Sequence, residues 1–194
     1  MTPLLASLLA HAPFDAAEAR SLVRIRAHVE AGGDLFDRTR SDGHLTGSAF
    51  VLDAGRAHLL LIFHRKLGRW LQPGGHGEPG ETEPLAVAAR EAVEESGMEG
   101  LTLCPGAPAP FDFDVHTIPE RPGEPCHEHL DVRFLFTAPE GAVLRPDLAE
   151  VSGAQWVTLE QAAGPDMDAS VARAARKILA LGAVVGPGGA ARER

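Results

Sequence analysis

The segment GGHGEPGETEPLAVAAREAVEESGM, residues 74–98, decides the fold. It begins as a loop rich in glycine and proline, and a helix is predicted from about Pro84 to Ser96 with Gly97 as its terminator. At about 100° per residue, the small and apolar side chains of this helix gather on one side that can face a core: Leu85, Ala88, Ala89, Ala92, Val93 and Ser96.

Three glutamates occupy the opposite side of the same helix. Glu91, Glu94 and Glu95 are spaced i, i+3 and i+4, so their carboxylates are neighbours and repel one another. Glu94 and Glu95 also lie in the last turn, where the helix dipole disfavours an anion by about 0.3–1 kcal/mol. A solvated acidic face is the alternative, but a surface helix selected for stability would carry Lys or Arg there. A divalent cation relieves both penalties because Mg²⁺ prefers carboxylate oxygens, and a backbone carbonyl of Gly75 is expected near the same ion.

These residues resemble the signature of the Nudix family, G-x5-E-x7-R-E-U-x-E-E-x-G-U, in which U is a bulky apolar residue. Gly75 and Glu81 match its first half at the family spacing. The second half is matched by Arg90, Glu91, Ala92, Glu94, Glu95, Gly97 and Met98. The chain departs from the pattern in two ways: Ala92 is small for its position, and eight residues instead of seven separate Glu81 from Arg90. The extra residue is placed at the helix entry, around residues 82–84, where it leaves the helical carboxylates in register.

The resemblance implies an α/β fold, an α/β/α sandwich with a mixed β-sheet. It also implies attack by water on a phosphorus atom of a diphosphate, assisted by Mg²⁺ or Mn²⁺. Glu94 and Glu95 would hold the metal, Glu91 would hold metal or orient water, and Arg90 would position a glutamate through a charge-assisted hydrogen bond.

A further carboxylate is a common family feature, supplied by a loop before a late strand. Counting back six residues from Trp156 gives Glu150, as a metal ligand or the general base. A solvated loop glutamate is the alternative interpretation.

The chain divides into three predicted parts: an N-terminal helical extension at 1–42, a Nudix domain at 43–182 and a flexible tail at 183–194. A helix is predicted at 15–31, capped by Asp15 and stopped by Gly32. Further elements are predicted as strands near 46–52, 58–63, 109–118, 128–137 and 154–158 and a last helix near 168–181. For the extension, a homodimer contact and a lid are the two roles considered.

Polar and apolar residues alternate along the hairpin that the strands near 109–118 and 128–137 are expected to form. Its apolar sides are Phe111, Phe113 and Val115 on one strand and Leu130, Val132, Phe134 and Phe136 on the other. Its polar sides are Asp112, Asp114 and His116 and, facing them, His127, His129, Asp131 and Arg133. The polar sides form either a solvated sheet face or a wall that binds substrate through His127, His129 and Arg133. Cys126 and the two histidines also suggest a zinc site, but the spacing of these three residues is too tight for a usual structural site.

Residues between the second predicted strand and the glutamate helix are the remaining candidates for substrate binding. The cations Arg65, Lys66 and Arg69 can reach distal phosphates or lie exposed in a loop. Trp70 can stack on a base or anchor the core. His76 can contact phosphate or cap a turn.

Composition narrows the classes of partner. The net charge of −9 argues against binding to a nucleic-acid polymer or an anionic membrane. The apolar stretch from Leu4 to Leu9 is too short to span a bilayer. Two cysteines, Cys104 and Cys126, suit a reducing cytosol, so a cytoplasmic location is predicted. The family resemblance implies a small nucleotide or other diphosphate as the substrate.

Three functions from different classes fit these observations. The favoured one is metal-dependent hydrolysis of a pyrophosphate bond in a nucleoside diphosphate-linked substrate, with (d)NTPs among the candidates. The second is an isomerase, because HRKLGRWLQPGGHGEPGE, residues 64–81, resembles isopentenyl-diphosphate isomerases; the cysteine run of those enzymes is missing after the first strand. The third is a non-catalytic Nudix-fold nucleotide-binding module, a type that usually loses the glutamates retained here.

Overall fold

The computed structural model describes residues 2–65, 67–121, 123, 125–147 and 151–184. Its helices are α1 (Pro3–Ala10), α2 (Ala16–Ala31), α3 (Pro84–Ser96), α4 (Leu159–Ala162) and α5 (Ala169–Val184). Its strands are β1 (His44–Leu52), β2 (His58–His64), β3 (Arg69–Leu71), β4 (Gly74–His76), β5 (Thr102–Leu103), β6 (Asp112–Ile118), β7 (His127–Thr137) and β8 (Ala154–Thr158).

The strands form one mixed sheet built around β1 and β7. These two strands run parallel from the pair His44–His129 to the pair Leu52–Thr137. The other side of β1 is shared by β4 and β2, which are both antiparallel to it. The outer side of β7 is shared in the same way by β6 and β5, while β3 and β8 extend the sheet from β2.

Helices cover both faces of this sheet, so the predicted α/β/α sandwich with a mixed sheet is confirmed. One core cluster joins α1, α2 and α3 to Leu45, Ala49 and Val51 of β1. The second cluster joins α4 and α5 to Phe50 and Leu52, the alternate residues of the same strand. The apolar run of β2 is buried between the two layers, as a strand covered on both faces requires.

The N-terminal helices pack against the sheet of their own chain. Helix α2 follows its prediction, since the Asp15 side chain accepts a hydrogen bond from Glu18 N at 2.8 Å and Gly32 ends the helix with φ 71°. Helix α1 was not predicted, because eight residues are too few to show a clear period; Leu8 nevertheless reaches the core with 2% exposure. Among the described residues, no helix is long and apolar enough to cross a membrane.

Helix α3 has the predicted bounds and most of the predicted core face, since Ala88, Ala92 and Ser96 are fully buried, but two valines depart from the prediction. Val87 is fully buried, whereas Val93, assigned to the core from the sequence, is 37% exposed. The reason lies in Gly47 of β1, on which the helix rests backbone to backbone. A Cβ atom on Gly47 would stand 2.5 Å from the carbonyl oxygen of Pro84. This close approach turns the stripe of Pro84, Val87 and Ala88 onto the sheet.

Phe111 also departs from its predicted place. Strand β6 begins only at Asp112, so the alternation does not extend back to Phe111. Phe111 packs instead in the second core cluster, with its ring centroid 6.2 Å from that of Phe50. The other apolar residues of the hairpin lie in the first cluster or against it, as predicted.

Candidate active site

A cavity of about 640 Å³ opens between the C-terminal half of α3, strand β4 and the polar side of β1, β6 and β7. Its acidic wall consists of Glu91, Glu94 and Glu95, next to Gly74, Gly75 and His76 of β4. Its opposite wall includes Thr46, Ser48, His116, His129 and Asp131. Four arginines also line it, Arg38, Arg65, Arg90 and Arg121, so cations and carboxylates face the same space.

The three glutamates differ in exposure because of the rotation of α3. Glu95 is buried and its Oε2 accepts a hydrogen bond from Gly74 N at 3.0 Å. The Glu91 side chain is 15% exposed and that of Glu94 is 43% exposed. Exposure to solvent therefore rises from Glu95 through Glu91 to Glu94. All three line one wall of the cavity. The sequence predicted that all three face away from the core, and this is wrong for Glu95, which is buried.

Strand β4 holds the glycine loop against these carboxylates. Gly75 pairs with Gly47 of β1, and a Cβ atom on Gly75 would lie 2.3 Å from Oε1 of Glu91. A side chain at position 75 would have to displace this carboxylate, so glycine allows the close approach of the backbone to Glu91. The predicted proximity of Gly75 to the glutamate helix is present.

Arg90 links the glycine-rich loop to the glutamates through hydrogen bonds. Its Nη1 donates to Oε1 of Glu91 at 3.0 Å and to Oε2 of Glu94 at 2.8 Å. Its Nη2 donates to the carbonyl oxygen of His76 at 2.8 Å, and the guanidinium also binds Glu81. The bonds to Glu81, supported by Glu91 and Glu94, raise the pKa of Arg90 above its usual range, and the same pair lowers the pKa of Glu81.

The polar side of the hairpin is buried, so the solvated sheet face considered from the sequence is wrong for its central residues. Asp131 is 2% exposed and accepts hydrogen bonds from Thr46 Oγ1 at 3.0 Å and from Ser48 Oγ at 2.8 Å. Arg133, also 2% exposed, donates from Nε to Asp131 at 2.7 Å. Asp131 lines the cavity, whereas Arg133 lies beneath it.

A second set of ion pairs continues from Arg133 into the core. Its guanidinium contacts Asp114 at 3.2 Å and Asp112 at 3.5 Å, and Arg173 of α5 binds both of these aspartates. Burial by itself raises the pKa of Asp114, but Arg133 and its other partners outweigh this and hold the pKa well below its usual range. Asp114 therefore stays ionised as a partner of two buried arginines.

Histidines gather at the other end of the cavity. His129 lines it, and its Nε2 lies 3.1 Å from Nε2 of His76. His44 and His127 are buried beside His129, with ring centroids 4.9 and 5.2 Å from its ring. Burial, together with the neighbouring imidazoles, lowers the pKa of His129 to about 2, so this ring is neutral at physiological pH.

The remaining residues singled out from the sequence fall in different places. Arg65 lines the cavity and donates to Ser152 Oγ at 3.3 Å, while Arg69 pairs with Asp168 at 3.2 Å. Trp70 packs edge-on against Phe63 and, like His127 and Arg133, is not among the described residues that line the cavity. Lys66 and Glu150 lie outside the described residues.

Several lining residues were not singled out from the sequence. Thr46 and Ser48 alternate with Leu45 and Ala49 along β1, so the period-two pattern was sufficient to place them on the polar side. Arg38 and Arg121 carry no such pattern, because each lies in a loop whose path depends on the folded chain.

Comparison with known proteins agrees with this geometry. A family model described as the NUDIX domain matches residues 44–181. Solved structures of similar fold include a NUDIX-family hydrolase from Clostridium perfringens, with 24% identity, a TM-score of 0.52, and coverage of 71% of this chain and 97% of that chain. An Ap4A hydrolase of C. elegans has 21% identity and a TM-score of 0.51, with coverage of 72% of this chain and 98% of that chain. The E. coli dihydroneopterin triphosphate pyrophosphohydrolase has 16% identity and a TM-score of 0.50, with coverage of 70% of this chain and 95% of that chain. At these identities the likeness shows the fold.

A sandwich of this topology with a glutamate helix beside a glycine loop defines a class of hydrolases. The family model spans well over half of the chain, and the chain therefore belongs to the Nudix family. The predictions of family, fold and enzyme class, a Nudix-type pyrophosphohydrolase, are confirmed.

Proposed function

We propose that this protein hydrolyses a pyrophosphate bond in a small nucleoside diphosphate-linked substrate, with Mg²⁺ or Mn²⁺ held by Glu91, Glu94, Glu95 and the backbone of Gly75. The observation that carries the proposal is the clamp formed by Arg90. One guanidinium fixes two of the three glutamates and the carbonyl of His76 at the wall of the cavity. The reacting diphosphate would lie against this wall.

The donor set suits a hard divalent ion. Three carboxylates line the cavity, and Gly75 brings its backbone close to Glu91 without a side chain that would interfere. Mg²⁺ and Mn²⁺ both prefer such oxygen ligands. When bound, the ion neutralises charge on the diphosphate oxygens and lowers the barrier to attack at phosphorus.

The acidic residues and Arg90 have different proposed roles in the reaction. Glu94 and Glu95 hold the ion, while Glu91, closer to Gly75, holds it or orients the attacking water. Arg90 keeps these carboxylates in place, and Glu150 is proposed as the general base on the strength of its position before β8 alone. A base near the ion must take a proton from the water as the bond to phosphorus forms.

Recognition of the substrate is assigned to the rest of the lining. Arg38, Arg65 and Arg121 offer charge to phosphates that do not react. His76, His129 and Asp131 offer hydrogen bonds to a base or sugar. Arg133 and His127 would act from below the surface, by holding Asp131 and His129, and Trp70 would support the loop through Phe63.

The substrate class is inferred from the size and charge of the cavity. Its volume of about 640 Å³ fits a small molecule and falls within the usual range of roughly 300–1,000 Å³ for such sites. Two of the structurally similar enzymes are described as acting on Ap4A and on dihydroneopterin triphosphate. We infer a nucleotide or a related diphosphate compound, with (d)NTPs among the first to test.

The test is a substrate screen with purified protein. Nucleoside triphosphates, dinucleoside polyphosphates and nucleoside diphosphate sugars are incubated with Mg²⁺ or Mn²⁺, and phosphate and pyrophosphate release are measured. Turnover by the native chain and its loss in Glu95→Gln are expected, with oxygen from labelled water appearing in a phosphate product. Failure of the folded native protein to cleave any member of the panel with either ion would contradict the proposal.

A further inference from the structure

Five histidines converge on one side of the sheet from four different strands. They are His44 on β1, His76 on β4, His116 on β6, and His127 and His129 on β7. Every ring has another of the five within 5.2 Å between centroids, and His129 contacts all four of the others.

The register of the sheet produces this convergence. His44 and His116 are the direct neighbours of His129 across the parallel pair and the antiparallel pair, respectively. His76 is paired with Thr46, two residues from His44 and therefore on the same side of the strand. His127 precedes His129 by two residues and shares its side for the same reason. The cluster is thus fixed by backbone pairing and does not depend on flexible loops.

Three of these side chains have the spacing of metal ligands. His44, His127 and His129 each offer a ring nitrogen, and the three nitrogens lie within 4.8 Å of one another. Zn–N bonds of about 2.0–2.1 Å in tetrahedral geometry place two ligand nitrogens about 3.3 Å apart. A contraction of at most about 1.5 Å would therefore close the group around one ion.

The tautomer of His127 suits a ligand. Its Nδ1 lies 2.8 Å from the carbonyl oxygen of Pro125, which can only accept, so the neutral ring carries its proton on Nδ1 and its lone pair on Nε2. Histidines that bind metals usually donate their other N–H to a carbonyl or carboxylate in this way, which fixes the orientation of the ring. His76 stands at the opposite side, with its Nε2 3.1 Å from that of His129, close to the separation of two nitrogens on one ion.

We propose that His44, His127 and His129 form a second metal site, for a divalent transition-metal ion that favours imidazole, with Zn²⁺ as the leading candidate. The site is separate from the glutamate wall and does not depend on the proposed hydrolysis. Its ligands are nitrogens, which suit Zn²⁺, Co²⁺ or Ni²⁺, whereas Mg²⁺ prefers the oxygens of the glutamates. Three protein ligands also leave a tetrahedral ion one position for water or another group.

Co²⁺ binding in a large excess of Mg²⁺ tests the proposal directly. Mg²⁺ occupies oxygen sites, so visible absorption of bound Co²⁺ reports nitrogen ligands, and Zn²⁺ is then added in competition. The full chain is used without a polyhistidine tag. One equivalent of Co²⁺ is expected to bind the native chain and to be displaced by Zn²⁺. No binding under these conditions would overturn the proposal.

Matched variants locate the site. His44→Gln and His127→Gln should each weaken Co²⁺ binding by about 100-fold or more, since even indirect partners of a metal site change affinity by about 10–100-fold. His58→Gln is the control, because His58 lies on β2 outside the cluster and binds Asp53. Glu95→Gln should also leave Co²⁺ binding unchanged. Equal binding by all four variants would show that these histidines are core residues and not ligands.

A measurement on the native chain covers the case in which the two cluster variants do not fold. Long-range ¹H–¹⁵N spectra of the imidazoles are recorded before and after one equivalent of Zn²⁺. The resonances of His44, His127 and His129 should shift together, while that of His58 stays in place. Shifts confined to histidines outside the cluster would overturn the proposal.

Discussion

Arg90 donates two parallel hydrogen bonds to Glu81, from Nε to Oε1 at 3.2 Å and from Nη2 to Oε2 at 3.1 Å. The extra residue that separates them from the family spacing does not break this pair. Pro84 occupies the first turn of α3, and Glu83, in extended conformation, precedes it at the N-cap. The added residue is thus absorbed before the helix starts, and Glu81 still reaches the guanidinium.

Replacement of this guanidinium should reduce catalysis and not substrate binding. Arg90→Lys keeps the charge, but one ammonium cannot replace the planar fork that binds Glu81, the two helical glutamates and the carbonyl of His76. A fall in kcat of about 10–100-fold with little change in KM is expected, the usual range for a group that orients metal ligands. Steady-state kinetics on the best substrate measures both constants. Arg26→Lys, in the exposed Arg26–Glu30 pair, is the control; a similar loss in both variants would contradict the assignment.

The acidic wall gives a prediction that separates function from stability. Glu94→Gln and Glu95→Gln should each lower turnover by about 100-fold or more at fixed Mg²⁺, because each removes a charged ligand of the ion. Their free energies of unfolding should stay the same or rise slightly. The exposed pair of Glu94 with Arg90 contributes at most about 1 kcal/mol, and a glutamine at 95 can still accept from Gly74 N.

Chemical denaturation and kinetics on the same samples check this prediction. Glu99→Gln provides a matched control, since Glu99 is exposed and follows the helix. Near-native turnover in both cluster variants would remove Glu94 and Glu95 from the proposed site.

The sequence was sufficient for the longer elements and for the glutamate motif, but not for α1, for the short elements β3, β4, β5 and α4, or for the orientation of α3. Caps and breakers are local signals, so Asp15, Gly32 and Gly97 could be read directly. The burial of Val87 in place of Val93 depends on Gly47, a residue on another strand. Helical periodicity gives a stripe of about the right width, and the contact with β1 decides where that stripe is centred.

Repulsion among the glutamates is weaker than their spacing along the helix predicts, for a related reason. The side chain of Arg90 reaches both Glu91 and Glu94 on its own helix. Repulsion is therefore partly relieved within the protein. The clamp and the glycine contact, not the repulsion, now support the metal site.

The histidine cluster shows why contacts between strands that are distant in the sequence are not predicted from local sequence patterns. The sequence suggested zinc only through Cys126, His127 and His129, whose spacing is too tight for a usual structural site. Parallel pairing of β1 with β7 places His44 beside His129, whereas Cys126 is exposed. A parallel partner far away in sequence leaves no local signal.

Glu18 of α2 should make the protein sensitive to acid. It is fully buried and binds His11 at 2.8 Å, Lys177 of α5 and the backbone N–H of Phe14. Burial alone raises its pKa, but these hydrogen bonds outweigh burial and lower the pKa from 4.5 to about 2. The folded state therefore binds this proton less tightly than the unfolded state.

The sign of the effect follows from linkage. Stability from the ionised Glu18 is complete above about pH 5 and is lost as the pH falls from there toward the folded pKa, with a total of order 3 kcal/mol. Urea unfolding from about pH 7 to about pH 3 should show the native chain losing stability faster than Glu18→Gln, so that their difference narrows on acidification. Parallel curves for the two proteins would exclude Glu18 as a source of acid sensitivity.

Arg133 was expected from the sequence to contact substrate, and its burial changes what its removal should do. It lies among Asp112, Asp114 and Asp131, so Arg133→Met leaves buried carboxylates short of a partner. A loss of about 3–5 kcal/mol in the free energy of unfolding is expected, as for other broken buried ion pairs. Because Asp131 lines the cavity, KM should rise as well.

Arg173→Met separates these two effects. Arg173 binds Asp112 and Asp114 as Arg133 does, and no contact joins it to Asp131 among the described hydrogen bonds and ion pairs. Its replacement should therefore cost comparable stability and leave KM near the native value, because Thr46, Ser48 and Arg133 still hold Asp131. Both variants are assayed well below their unfolding temperatures, so that only folded protein contributes. An equal rise in KM for the two variants would mean that general loosening of the sheet, and not the position of Asp131, controls substrate binding.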